Sequence, residues 1–414
     1  MRDILPPESG RWRRFTTVFA DVVEAAGYQQ LIPPLLEDLG VFTRIGDATD
    51  VVTKEMYDFV DKGERRVALR PEQTASVCRA FAQHRPPVLP WKVFYSGPNF
   101  RYEKPQRGRY RQFDQVGIEV LGVDDPLLDV EVIALGWEFY RRLGLQQVGL
   151  LINSLGEPDD RSRYVAALRT HFETAGDELS EQSRITLTKN PLRVLDSKRP
   201  PDQPFIASAP QIAEFHSNEA AAHFESVQAG LRTLDIPFAV ESKLVRGLDY
   251  YRRTIFEFRG GTLDSAQNAL GGGGRYDGLV EALGGPATPG IGFALGVDRT
   301  LIACDDEGCF PAEPLQLDAY VVDVVGGLEA VAITAELRNA GFSVDRSFDN
   351  RSMKAQMKQA NRSEAAVAVI IGEQEAADRT VVLKPMNGGN QVTVARSELT
   401  AHLSASLSQE KQNS

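Results

Sequence analysis

The sequence predicts an α+β unit over residues 1–312, built on an antiparallel sheet and carrying a helical insertion at 155–235, followed by a small α/β domain with a mixed sheet over 318–407. Three observations predict it. Residues 91–100 (WKVFYSGPNF) and 113–121 (FDQVGIEVL) are strand-like runs on either side of a charged stretch, the pattern of an antiparallel hairpin with a long loop. Residues 155–235 are polar, helical and irregular, with no strong strand, between segments that return to strand patterns. Beyond the proline-bearing stretch FPAEPLQLD at 310–318, strands and helices alternate.

The elements follow in order. Residues 11–27 place Trp12, Phe15, Val18, Phe19, Val22 and Val23 at helical spacing, with Gly27 to end the helix. YQQLIPPLLE reads as a strand broken by Pro33 and Pro34. RVALR (66–70) reads as a short strand before a helix opening at Pro71. Residues 125–143 form an amphipathic helix, and FAVESKLV and TIFEFRG are strands. TPGIGFALGVDRTLIAC (288–304) reads as a strand, then a helix. In the second domain AYVVDVV, FSVDRS, AAVAVIIG, TVVLKP and NQVTVAR are strands. EAVAITAELRNAG, RSMKAQMKQANRS and SELTAHLSASL are helices, and the tail SQEKQNS is read as frayed.

Composition bounds the chemistry. The 414 residues are 42% hydrophobic and 25% charged, which suits a globular chain with a sizeable core. The N-terminus MRDILPPESGRWRRF lacks the apolar run of a signal peptide, and no stretch approaches a membrane span, so the reading is a cytoplasmic protein with no membrane partner. Cys78, Cys304 and Cys309 form no C-x-x-C pair, and the five histidines show no zinc spacing, so no bound metal is expected. The net charge of −11 argues against nucleic acid as a global sum, yet binding follows local fields. Two stretches run against the average. Residues 101–111 set Arg101, Lys104, Arg107, Arg109 and Arg111 against Glu103; residues 346–362 set Arg346, Arg351, Lys354, Lys358 and Arg362 against Asp349. Either could also be a solvated face.

GGGGRYDG (271–278) is not G-x-G-x-x-G, and no P-loop or G-x-S-x-G occurs. The glycines are compatible with a tight turn or with polar groups set beside a ligand. Arg101 ends a strand, Arg246 lies in LVRGLDYY, and Arg299 closes GIGFALGVDR. A guanidinium in apolar, glycine-bearing surroundings needs a counter-charge. That charge is either a nearby carboxylate or an anionic ligand, and several planar, permanently charged donors suit phosphate.

Taken together, these segments resemble the class II aminoacyl-tRNA synthetases, and within them the histidyl-tRNA synthetase family. FYSGPNFRYEKPQRGRYRQFDQVGIEVLG (94–122) resembles motif 2, GIGFALGVDR (290–299) motif 3, and GYQQLIPPLLED (27–38) the dimer-forming motif 1. LRPEQTA (69–75) resembles the amino-acid-binding turn, and LVRGLDYYRRTIFEF (244–258) and GGRYDGL (273–279) resemble the two segments specific to the histidine enzymes. The resemblance implies a class II catalytic core of about six or seven antiparallel strands and a C-terminal anticodon-binding domain. It implies a homodimer that uses ATP with Mg2+, L-histidine and tRNA(His), with no tightly bound structural metal. By motif position, Arg101, Arg246 and Arg299 are the catalytic residues, and Arg101, Glu103, Arg109 and Arg299 hold ATP. Glu72, Thr74, Gln115, Glu119, Arg246, Tyr250 and Tyr251 hold histidine, and Lys104 and Gln106 approach the tRNA acceptor end.

Two positions depart from the family pattern. Gln73 stands where glycine is usual, which implies an altered pocket or a different backbone angle there, and Asp114 replaces a frequent histidine. The competing reading is a non-catalytic paralogue that regulates ATP phosphoribosyltransferase in histidine biosynthesis. Such paralogues lose the RGLDYY arginine and the C-terminal domain, and both are present here.

Overall fold

In the computed structural model the chain forms two compact units, Met1–Ala312 and Glu313–Ser414. The residues described are 1–44, 51–195, 197–245, 250–263, 268–349 and 351–413. Arg246, one of the three arginines singled out in the sequence, lies outside them.

The first unit opens with α1 (Glu8–Glu24), whose apolar spacing buries Phe15, Phe19, Val22 and Val23. Gly27 takes a left-handed φ of 83° just beyond its end. The proline pair divides the next run into β1 (Gln29–Gln30) and β2 (Leu36–Asp38), followed by α2 (Leu39–Thr43). β3 (Tyr57–Val60), not foreseen in the sequence, pairs with β4 (Arg66–Leu69), which pairs with β2 in a small sheet. α3 (Thr74–His84) starts three residues after Pro71, because the Glu72 carboxylate accepts the Ala75 amide at 3.0 Å and holds the chain out of the helix until Thr74. The expected hairpin is β5 (Trp91–Phe100) and β6 (Gln112–Leu121), in antiparallel register from Trp91↔Leu121 to Phe100↔Gln112. Then come α4 (Pro126–Arg142), β7 (Val148–Ser154), α5 (Pro158–Ala175), α6 (Glu181–Lys189), α7 (Gln203–Ala207) and α8 (Asn218–Thr233). The unit closes with β8 (Ala239–Val240), β9 (Arg252–Gly260), β10 (Ala269–Arg275), α9 (Leu279–Ala282), β11 (Gly290–Gly296) and α10 (Val297–Glu307).

Among the described residues the main sheet has eight strands in the order β1-β5-β6-β11-β10-β9-β7-β8. The six inner strands are antiparallel, and each edge adds a two-residue parallel strand, β1 on β5 and β8 on β7. Alternation sorts the two faces. Val116, Ile118 and Val120 of β6 and Ile291, Phe293 and Leu295 of β11 join α1, α4 and α8 in the largest core cluster. Phe139 sits edge-on between Phe15 and Phe19, at centroid distances of 5.0 and 5.1 Å. The alternate positions, Gln115, Gly117 and Glu119 of β6 and Gly292, Ala294 and Gly296 of β11, fall on the opposite face.

Within the helical span, α5 through α7 enclose their own core of Tyr164, Leu168, Phe172, Leu187, Val194 and Ile206. α8 instead buries Phe224, Val227 and Leu231 in the main core. The chain returns through it to the sheet.

The four glycines at 271–274 lie in a central strand and form no turn. A Cβ on Gly273 would stand 1.9 Å from the Gly292 carbonyl oxygen, so β10 and β11 approach only because that side chain is absent.

The second unit comprises β12 (Ala319–Asp323), α11 (Leu328–Asn339), β13 (Val344–Arg346), α12 (Met353–Arg362), β14 (Val367–Ile371), α13 (Glu373–Asp378), β15 (Thr380–Pro385), β16 (Val392–Ala395) and α14 (Leu399–Asn413). Its sheet runs β13-β12-β14-β15-β16, parallel through β14 and antiparallel beyond, the mixed sheet the sequence predicts. Short α13 was not foreseen, and α14 runs through the segment read as frayed.

Gly273→Ala is expected to destabilise the first unit by about 1–3 kcal/mol through overpacking, seen as a lower denaturation midpoint. An unchanged midpoint would show that the two strands can separate at little cost.

Candidate active site

The polar face of the main sheet holds a cavity of about 240 Å³. Glu72 and Thr74 from the start of α3, Gln115 from β6, Tyr250 and Tyr251 before β9, and Arg299 on α10 all reach it, as do Arg101, Glu103 and Arg109 of the hairpin loop. Strands distant in sequence are adjacent in the sheet, which is how residues 72 to 299 converge. Lys104 and Gln106 are exposed on the same loop and do not line the cavity; Gln106 and Arg109 exchange backbone hydrogen bonds that close the loop tip.

Neither Arg101 nor Arg299 forms an ion pair with a carboxylate among the described residues, although Glu103 is close enough to pair with Arg109 at 2.7 Å. Backbone carbonyls aim them instead. Arg101 donates its Nε to Pro71 O at 2.9 Å and lies 5.2 Å from the centre of the Phe113 ring. Arg299 donates Nε to Gly108 O at 3.2 Å and a terminal nitrogen to Ala269 O at 3.0 Å. Burial, with Arg109 nearby, lowers the Arg299 pKa from the usual arginine range. Among the described residues neither guanidinium is in ion-pair contact with a carboxylate, although the charges of Glu103 and Glu257 act on Arg299 and that of Glu72 interacts with Arg101, so both stay open to an anionic ligand.

At the opposite end the chemistry is carboxylate. Glu72 is 5% exposed; its Oε1 accepts the Ala75 amide, while Oε2 is buried without a hydrogen-bond partner among the described residues. Burial raises its pKa, and hydrogen bonds from Ala75 and Thr74 oppose the rise. A buried acceptor left open beside a cavity suits an ammonium group.

Glu119 is fully buried and does not itself line the cavity, but it is hydrogen-bonded to Thr74, which does. Its carboxyl accepts the hydroxyls of Thr74 at 2.6 Å, Tyr95 at 3.2 Å and Tyr276. Burial pushes its pKa up to about 8, against the pull of the three hydroxyls. A Cβ on Gly292 would fall 1.8 Å from Glu119 Oε2, so the glycine across the β6–β11 pair makes room for this carboxyl. Tyr250 packs 4.7 Å from Tyr251 and 5.9 Å from Tyr276, centre to centre, which joins the three rings into one wall.

Sequence reasoning did not single out Tyr95 or Gly292 as parts of the site, whereas Tyr276, with Arg275 and Asp277 after the glycine run, reads as able to set a polar group beside a ligand. The signal for Tyr276 was its place in the glycine-rich GGRYDG; Tyr95 and Gly292 become legible only once strand pairing is known. Asp114 lines the cavity, and burial together with the charge of Asp298 raises its pKa to about 6. Asp298 is held by Arg2 at 2.9 Å, and Arg2 also sits 4.9 Å from the centre of the Tyr110 ring. Gln73 needs no unusual backbone: its φ is −116°, and its buried side chain points to Gly97 O at 3.4 Å and is not part of the cavity lining.

Among the described residues, a hairpin loop and a strand–helix junction present two guanidiniums without a carboxylate ion pair to one cavity on an antiparallel sheet, the arrangement expected of the catalytic core of a class II aminoacyl-tRNA synthetase. Comparison with known proteins narrows this. The family model described as Histidyl-tRNA synthetase matches residues 1–300, and that described as Anticodon binding domain matches 319–406. A histidine–tRNA ligase of Listeria innocua is 45% identical over 409 residues, 97% of this chain and 96% of its own. One from Geobacillus thermodenitrificans is 44% identical over 97% and 96% of the two chains. The crystal structure of apo histidyl-tRNA synthetase from S. aureus superposes with a TM-score of 0.82 at 36% identity, covering 97% of this chain and 98% of that one. The chain belongs to the histidyl-tRNA synthetase family.

The raised Glu119 pKa has a consequence for stability. Between the ordinary carboxylate range and about pH 8 the folded protein holds a proton that the unfolded chain releases. The cost of burying this group is therefore absent at low pH and grows as pH rises to about 8. Glu119→Gln is expected to flatten that part of the stability–pH curve, followed by thermal melts between pH 5 and 9; an unaltered slope would show that Glu119 is already ionised.

Proposed function

We propose that the chain is a histidine–tRNA ligase. It activates L-histidine with ATP to histidyl-adenylate and pyrophosphate, then transfers the histidyl group to the 3′ end of tRNA(His). The observation that carries the reading is the pair of guanidiniums, Arg101 and Arg299, aimed at one cavity by backbone carbonyls and, among the described residues, without a carboxylate ion pair.

In the first step a histidine carboxylate oxygen attacks the α-phosphorus of ATP, and the bond to the pyrophosphate oxygen breaks. Negative charge gathers on the phosphoryl oxygens, where preorganised donors lower the barrier most. Arg101 takes the α-phosphate and the reacting carboxylate. Arg299 lies against adenine and reaches the γ-phosphate, and Glu103 and Arg109 complete the ATP side. The open Oε2 of Glu72, with Thr74 and Gln115, holds the α-ammonium group. Glu119, Tyr250 and Tyr251 face the imidazole. A site that hydrogen-bonds the ring nitrogens rejects amino acids lacking them. Arg246 is assigned by its motif alone to the histidine and α-phosphate side.

Lys104 and Gln106, exposed on the hairpin loop, meet the tRNA acceptor end, and the second unit reads the anticodon. Magnesium enters with ATP as part of the substrate; among the described residues no cluster of His, Cys, Asp and Glu forms a resident metal site. Among them, too, no helix is long and apolar enough to cross a membrane. Because tRNA and ATP are its substrates, the reading places the protein in the cytoplasm.

The assembly is a homodimer. Ile32 is 79% exposed, Leu35 and Leu36 are 45% and 47% exposed, and Phe59 and Val60 of the small sheet are 45% and 61% exposed. An apolar set of this kind on the motif 1 segment and its adjoining strands suits a subunit interface. Sedimentation should therefore give twice the chain mass of 45.6 kDa; a monomer at micromolar concentration would contradict it.

Histidine-dependent ATP–pyrophosphate exchange tests the activity, and no other amino acid should support it. Arg101→Ala and Arg299→Ala should each slow exchange by about 10²–10³ with unchanged circular dichroism. No exchange with folded wild-type protein would favour the regulatory paralogue.

A further inference from the structure

Tyr250 and Tyr251 also line a second cavity, of about 430 Å³. Its other walls are Arg44, Arg252, the start of α5 with Glu157 and Arg161, and the face of α9 beside Gly278. Glu157 is the one carboxylate among the described lining residues, and it is already engaged by Arg253. Arg252 is half-buried over Gly278, where a Cβ would stand 2.8 Å from its Nη2. Among the described residues Arg252 has neither a carboxylate within ion-pair distance nor a side-chain hydrogen bond. A guanidinium partly withdrawn from water without a counter-charge is costly. Arg44 lines the same cavity and adds charge of the same sign, which with Arg252 makes it a site for an oxyanion.

We infer that this second cavity binds a backbone phosphate of the RNA strand whose 3′ end enters the first, with Arg252 as the contacting residue. The inference rests on the ligase reading for the identity of the RNA. The two cavities adjoin at Tyr250 and Tyr251, and on this proposal the strand that brings its terminal ribose to the first carries its preceding backbone past the second. A chain of net charge −11 must draw RNA in through local positive sites such as this one. Inorganic phosphate offers the same oxygens, so the test separates the two sources.

Direct binding of fluorescent tRNA(His) is measured for wild type, Arg252→Ala and Arg252→Lys at about 50–200 mM salt. Arg252→Ala should weaken binding and make the slope of log affinity against log salt shallower by about one, the loss of one phosphate contact. Arg252→Lys should keep the wild-type slope. Histidine-dependent exchange, which uses no RNA, should stay at the wild-type rate in both. An unchanged affinity and slope in Arg252→Ala overturns the inference. So does a calorimetric loss of inorganic phosphate binding in Arg252→Ala with RNA affinity intact, which assigns the cavity to free phosphate. If Arg252→Ala also lowers exchange, Arg252→Lys decides: a retained slope supports the contact and a lost one removes it. Wild-type protein with the expected Arg252 effect on RNA but no exchange would refute the ligase reading and leave the phosphate site standing.

Discussion

Two guanidinium groups aimed by carbonyl oxygens, with no carboxylate in ion-pair contact among the described residues, set the terms for the rest of the first unit. Arg101 is fixed by Pro71 O, and Arg299 by Gly108 O and Ala269 O. A carbonyl dipole orients an arginine without cancelling its charge, so the attraction for an incoming anion is kept. The cost of that arrangement is desolvation, visible in the lowered pKa of Arg299. On the proposed reading phosphate binding offsets it, which would tie the stability of the site to its substrate.

At the other end the sheet does the reverse and buries a carboxyl. The carboxyl of Glu119 has room because Gly292 opposite has no side chain, and β10 closes on β11 because Gly273 has none. Hydroxyls from α3, β5 and the Tyr276 turn converge on it. Each belongs to a different segment, so the carboxyl also fastens the floor of the site together. One face of the sheet is thus packed for stability, and the other is thinned by glycine for binding.

Much of this was legible in the sequence. The β5–β6 hairpin, the helical span, the linker and the mixed sheet of the second unit follow from alternation, helical spacing and proline placement. The convergence of Glu72, Thr74, Arg101, Gln115, Tyr250, Tyr251 and Arg299 came from motifs rather than periodicity. What stayed hidden depends on which strands become neighbours. The glycine run at 271–274 could be a turn or a ligand cradle until its pairing with β9 and β11 was known. Tyr95 and Gly292 belong to the site only through cross-strand contact with Glu119. Gln73 was expected to disturb the amino-acid turn, yet its ordinary φ of −116° lets its side chain fold away toward Gly97. β3 is four mostly exposed residues and α13 six largely polar ones, too short to give a periodic signal.

The most direct test is a crystal structure of the protein with histidine and a non-hydrolysable ATP analogue. The α-phosphate should lie against the Arg101 guanidinium with Arg299 along the nucleotide, the ammonium group on Glu72 Oε2, and the imidazole toward Glu119. A nucleotide bound elsewhere, or Arg101 and Arg299 turned away onto carboxylates, would contradict the account.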